Sequence, residues 1–199
     1  MNRYVAPPGE WDCGILLSNI KRNGKPYCID LALPLDGSVE YWGQSYMADG
    51  PVSVSITANY AGENIVVRVE LEGNFLLPCS RCLCETGLAI NGDMRYLFTL
   101  RPAVDEGGRH GRHAEPDDDD DAPDGDVDVI VIDGYNAELD LSSYVWETLI
   151  LNLPEKVLCG EDCLGLCPIC GGNRNITGCG CVAHDTDPRF EVLRDLGSV

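Results

Sequence analysis

Apolar and polar residues alternate with a period of two through much of the first hundred residues. In "VSVSITANY", Val52, Val54, Ile56, Ala58 and Tyr60 alternate with Ser53, Ser55, Thr57 and Asn59. That period matches the pleat of a strand with one buried face. After "AGEN" the alternation resumes in "IVVRVELEGNFLL", with Ile65, Val67, Val69 and Leu71 on one side and Arg68, Glu70 and Glu72 on the other, which predicts a hairpin. A third strand, "LAINGDMRYLFTL", sets Leu88, Ile90, Met94, Tyr96, Phe98 and Leu100 to one side, and the tight corner "PCSRCLCE" leads into it. "VDVIVI" is a further short strand. In "DLSSYVWETLILNLP" the period changes: Leu141, Val145 and Leu149 recur at helical spacing, Asp140 is the expected N-cap and Pro154 the stop, so a helix is predicted near 140–152. A second helix is expected in "PRFEVLRDLG", with Asp187 as N-cap, Pro188 in the first turn, Phe190, Leu193 and Leu196 able to pack, and Gly197 at its end. Short connections favour antiparallel pairing. The expected fold class is α+β and β-rich: a mainly antiparallel sheet, a few helices and a C-terminal Cys-rich zinc module.

Charge divides the chain further. Residues 1–102 carry 8 basic and 11 acidic side chains, residues 103–158 carry 3 and 16, and residues 159–199 carry 3 and 6, so the middle segment supplies most of the net charge of −19. Within it, "AVDEGGRHGRHAEPDDDDDAPDGDVD" is nearly free of apolar side chains, and such a stretch cannot offset its ordering entropy by burial. The expected organisation is therefore a β-rich domain from 1–102 and 127–158, an acidic mobile loop at 103–126, and a zinc-knuckle module with the last helix at 159–199. The plain reading of the loop is a solvated insertion; the functional one is an acidic arm for a basic partner. A calcium loop is disfavoured, since Ala122 stands where a second acidic ligand is needed and no Glu follows at the twelfth position.

With 44% hydrophobic and 24% charged residues, the 199-residue chain reads as globular. Its longest apolar runs fall far short of a membrane span, and "MNRYVAPPGEWDCG" lacks the pattern of a secretory signal, so the expected address is cytoplasmic, without a membrane partner. In a reducing compartment eleven cysteines point to metal binding or redox chemistry rather than disulfides.

Six of them lie within "CGEDCLGLCPICGGNRNITGCGC". Cys167 and Cys170 form a C-P-x-C-G knuckle, in which Gly171 is free to take a backbone conformation that side chains resist, and Cys179 and Cys181 can complete a four-sulfur site. His184 is an alternative ligand there. Cys159 and Cys163, spaced C-x3-C, and Cys79 and Cys82, spaced C-x2-C, are two halves of a second site; a redox dithiol at Cys79 and Cys82 is the rival, weakened by the lack of a helix N-terminus beside it. Cys13, Cys28 and Cys84 remain as buried or incidental thiols. The sequon at Asn175 has no meaning in a cytosolic protein. Eight ligands thus imply two structural zinc ions, and closed four-sulfur sites leave no open position for water. Iron is a less favoured occupant.

The succession "GPVSVSITANY…IVVRVELEGNFLLPCSRCL", an acidic insertion, "DLSSYVWETLILNLP", "C…CLGLCPICGGNRN…CGC" and "DPRFEVLRDL" resembles the YceD family of bacterial proteins, named for accumulation of the large-subunit ribosomal RNA. The resemblance runs from about residue 20 to 198 and implies a role in making or maintaining that RNA, 23S rRNA, with no active-site residues to carry over. Consistent with that, there is no phosphate-cradling glycine loop, no H-E-x-x-H and no G-x-S-x-G, and no small-molecule substrate is expected. Every third of the chain is net negative, and only Lys21, Arg22 and Lys25 form a small basic cluster. A non-enzymatic factor that binds a large-subunit precursor or a basic large-subunit ribosomal protein is therefore expected ahead of a direct RNA-binding zinc protein, and both ahead of a redox or iron-sulfur protein.

Overall fold

The computed structural model describes residues 2–101, 129–133 and 138–182. The acidic stretch at 103–126, the helix expected after Asp187 and His184 lie outside the described residues. The chain forms two compact units: Met1–Leu76 with Gly87–Glu155, and Leu77–Thr86 with Lys156–Val199.

The first unit is built on strands β1 (Asn2–Tyr4), β2 (Gly14–Leu16), β3 (Tyr27–Leu33), β4 (Gly37–Tyr41), β5 (Gln44–Ala48), β6 (Val52–Ala61), β7 (Asn64–Pro78), β8 (Glu85–Arg101), β9 (Val129–Asp133) and β10 (Glu138–Asp140), with helix α1 (Ser142–Leu151); β7 and β8 run on into the second unit. Eight strands make one sheet in the order β1-β4-β5-β7-β6-β3, with β8 on β7 and β9 on β8, while β2 and β10 pair separately. The predicted hairpin is β6–β7. Its register opposes Val54 to Leu71, Ile56 to Val69 and Ala58 to Val67, all buried, and Ser53 to Glu72 and Ser55 to Glu70 on the polar face. The turn needs only Gly62 and Glu63, and Gly62 has φ of 65°. β3 extends the same apolar row, Ile29 against Ile56 and Leu31 against Val54.

The sheet is mixed, not purely antiparallel: β1 runs parallel to β4 and β9 parallel to β8. Parallel neighbours need a crossover of a dozen or more residues, and the 27 positions between β8 and β9 provide that length. Antiparallel pairing holds elsewhere, between distant strands such as β3 and β6 as well as across short turns such as β4–β5, whose turn residues Trp42 and Gly43 both have positive φ (50° and 71°), the backbone of a type I′ hairpin.

Helix α1 buries Val145, Trp146, Thr148 and Leu149. The N-cap position falls on Leu141 rather than the expected Asp140, which stands one residue earlier and accepts from the Ser142 N–H at 2.9 Å through its carboxylate. The Ser142 hydroxyl donates to the Trp11 carbonyl (3.1 Å) and accepts from the Cys13 N–H (3.4 Å), and Trp11 meets Trp146 edge-on with centroids 5.7 Å apart. Cys13 is fully buried, and burial pushes its thiol up. At the other face of α1 the Tyr96 hydroxyl bonds the Tyr144 carbonyl and the Thr148 hydroxyl, both at 3.0 Å, and burial pushes its pKa up to about 12.

Gly92 allows α1 to approach the sheet this closely. A Cβ there would stand 3.0 Å from Thr148 Cγ2 and Asn152 Nδ2 and 3.1 Å from Leu71 Cγ. Gly92→Leu is expected to lower stability by about 1–3 kcal/mol through overpacking. Gly87→Ala on the same strand, where an added Cβ meets nothing within 4 Å, is expected to be neutral or mildly stabilising. Denaturant midpoints of the two variants check both statements.

Candidate metal centres

Among its described residues the second unit has little apolar interior. Its buried cluster is Cys79, Cys82 and Cys163, with Leu158 packed against them. Two groups of four sulfurs assemble there, Cys79, Cys82, Cys159 and Cys163 in one and Cys167, Cys170, Cys179 and Cys181 in the other, each with its ligand atoms within 4.8 Å of one another. All eight cysteines singled out in the sequence are brought together, in the two sets of four that their spacing suggested. Of the other three, Cys28 is exposed on β3 and Cys13 is buried in the first unit. Cys84 is exposed beside the first group, where its sulfur accepts from the Asn173 side chain at 3.1 Å.

The backbone builds both C-x2-C turns in the same way. The Cys79 N–H donates to the Cys84 carbonyl and the Leu83 N–H returns to the Cys79 carbonyl; likewise the Cys167 N–H donates to Gly172 and the Gly171 N–H returns to Cys167. The residue after the second cysteine has positive φ in each, 60° at Leu83 and 71° at Gly171. The glycine was readable as a turn residue. Leu83 was not, since a side chain at such φ is costly and no sequence signal marks it.

Arg81 joins the first turn to the later segment: its carbonyl accepts from the Leu166 N–H (3.0 Å), and its guanidinium donates to the Cys163 carbonyl (3.1 Å). Gly165, with φ of 73°, lets the two backbones meet, because a Cβ there would lie 3.1 Å from the Arg81 carbonyl oxygen.

These sulfurs suit a tetrahedral cation. Cys79 and Cys163 lie 3.8 Å apart and Cys82 and Cys159 3.5 Å apart, close to the edge of about 3.8 Å that zinc–sulfur bonds of about 2.3 Å require. The protonation pattern agrees. Backbone N–H groups of Arg81 and Cys82 bring Cys79 down to about 6, and those of Cys170 and Ile169 do the same for Cys167. The adjoining Cys170 thiol and burial push Cys181 up to about 12. At Cys82 the Cys84 N–H pulls downward, yet burial and the three neighbouring thiols prevail and leave it at about 12. Thiols this close cannot all carry charge unless a cation sits among them, and either group could hold a metal ion.

A family model described as large ribosomal RNA subunit accumulation protein YceD matches residues 67–197. The chain belongs to the YceD family. The YceD match begins within β7 and takes in α1 and all eight clustered cysteines. The family's name implies involvement in large ribosomal RNA accumulation; it names no reaction. No curated protein and no solved structure matches the chain. Among the described residues no helix is long and apolar enough to cross a membrane.

Proposed function

We propose that this YceD-family chain is a non-enzymatic factor for large ribosomal subunit biogenesis and 23S rRNA accumulation, acting by binding a subunit precursor or a basic large-subunit ribosomal protein on a scaffold stapled by two zinc ions. The observation that carries this reading is the family match over residues 67–197, which includes both four-cysteine groups. Cys79, Cys82, Cys159 and Cys163 hold one ion and Cys167, Cys170, Cys179 and Cys181 the other. Zinc supplies a rigid, redox-silent junction here, and four protein sulfurs leave it no open position for a reacting group.

Charge favours protein contacts over direct contact with RNA phosphates. The net charge is −19, and two tetrathiolate zinc centres add about −2 each. Of the small basic cluster, Arg22 is already stacked 4.4 Å over the Tyr60 ring. The acidic run Asp117 to Asp121 attracts a basic ribosomal protein and mainly speeds its association. Replacing these five aspartates by serine is expected to slow capture, with the effect fading as salt rises and zinc content unchanged.

Depletion in the host, read as the ratio of mature large- to small-subunit RNA and paired with affinity capture, tests the reading. A lowered ratio and recovery of precursor or ribosomal protein are expected. An unchanged ratio with neither recovered overturns it, and tight binding of protein-free RNA with a steep negative salt slope would replace it by direct RNA binding.

A further inference from the structure

The loop between Cys170 and Cys179 does more than span its own four-sulfur group. Asn175, in the middle of it, places its side-chain Nδ2 3.3 Å from the sulfur of Cys163, which belongs to the other group. The orientation of this carboxamide is fixed at both ends. Its Oδ1 accepts from the Leu164 N–H at 2.7 Å, so the nitrogen must face the sulfur, and Nδ2 also donates to Asn173 Oδ1 at 3.0 Å. One acceptor and two donors are thereby all engaged. Asn173 is held in turn: it bridges Leu166, its Oδ1 accepts from the Asn175 N–H at 2.9 Å, and its carbonyl accepts from the Thr177 N–H at 3.0 Å.

We propose that Asn175 is a positioning residue that couples the two metal centres, so that filling the Cys167 group raises the affinity of the Cys79 group and the reverse. This rests on the two-zinc reading. The loop from Gly171 to Gly178 is anchored by ligands of the second centre at each end, so an ion there fixes the loop, and the fixed loop presents an N–H donor to a thiolate of the first. A donor to a metal-bound thiolate disperses its charge and orients it, an outer-shell role whose loss typically costs 10- to 100-fold in metal affinity. Coupling between two binding events is reciprocal by necessity.

The test is titration of the reduced full chain with cobalt(II), followed by thiolate-to-metal absorption, and with zinc against a competing chelator. Asn175→Asp keeps an oxygen for the Leu164 N–H but replaces the donor by a charged acceptor facing Cys163. It is expected to weaken the first centre at least 10-fold while two ions still bind. Cys179→Ser, which disables the second centre, should weaken the first by about 10-fold in the parent chain and by little more in the Asn175→Asp background. Asn175→Ala, which removes donor and acceptor without adding charge, should also weaken the first centre. Two ions bound with the first centre's affinity unchanged in both Asn175 variants would overturn the coupling. Failure of the parent chain to bind two ions would instead overturn the two-zinc reading beneath it.

Discussion

Protein prepared reduced and without chelator is expected to carry close to two zinc ions per chain, and stripping them is expected to unravel the second unit while the β3–β6–β7 ladder keeps its amide protection. The expectation follows from what that unit buries. Among its described residues the interior cluster is three cysteines and a partly buried leucine, with Leu77, Val157 and Cys167 also buried, too little apolar surface to offset the entropy of ordering residues 77–86 and 156–182. Structural zinc contributes about 10–16 kcal/mol of apparent binding free energy at neutral pH, ample for that role. The β6–β7 hairpin, by contrast, rests on buried Val, Ile and Leu pairs that owe nothing to metal. Elemental analysis and hydrogen exchange before and after chelation are the measurements. Less than one equivalent of zinc, or uniform loss of protection across both units, would contradict the expectation.

The second large effect concerns the ligand set of the first centre. Cys79→Ser and Cys163→Ser are each expected to lose the same ion and retain the other, and the double variant should be scarcely less stable than either single one. Their sulfurs lie 3.8 Å apart in the group with Cys82 and Cys159. Once one thiolate is gone the ion is lost, and the second substitution has nothing left to remove, so the two effects are strongly non-additive. Additive losses, or loss of two different ions, would mean that Cys79 and Cys163 serve separate sites. Zinc content by mass spectrometry under native conditions, with denaturation curves of the three variants, decides between these outcomes.

The parts of the fold legible in the sequence were those where one physical preference acted alone. The run Val52 to Tyr60 and its partner from Ile65 have a strict period of two because each has one buried face, and α1 shows its spacing through Leu141, Val145 and Leu149. Strands β1, β2, β4 and β5 have five residues or fewer, too short to establish a period; β3, seven residues long but with only Leu33 fully buried, was missed as well. Parallel pairing of β9 with β8 leaves no local signature, because it depends on the length of a connection rather than on the residues that pair. At the metal centres the cysteine spacing pointed to the groups of sulfurs that the fold gathers. It did not reveal Leu83 in a glycine's conformation or Asn175 donating to a cysteine twelve positions away, since both depend on backbone geometry that composition does not encode.

The first group of sulfurs joins parts of the chain that are far apart in sequence: Cys82 and Cys159, 3.5 Å apart in space, are separated by 77 positions. A metal shared between them is a cross-link, and its closure of so long a loop restricts the unfolded chain by about 4.5 kcal/mol on the chain-entropy account used for disulfides. Unlike a disulfide it needs no oxidising compartment. The closure cost also rises only with the logarithm of loop length, so that doubling the loop adds about 0.6 kcal/mol. The acidic stretch at 103–126 falls inside this loop. With a metal shared there, lengthening or shortening this stretch would change the stability of the cross-linked chain very little, leaving its length free to vary without loosening that junction.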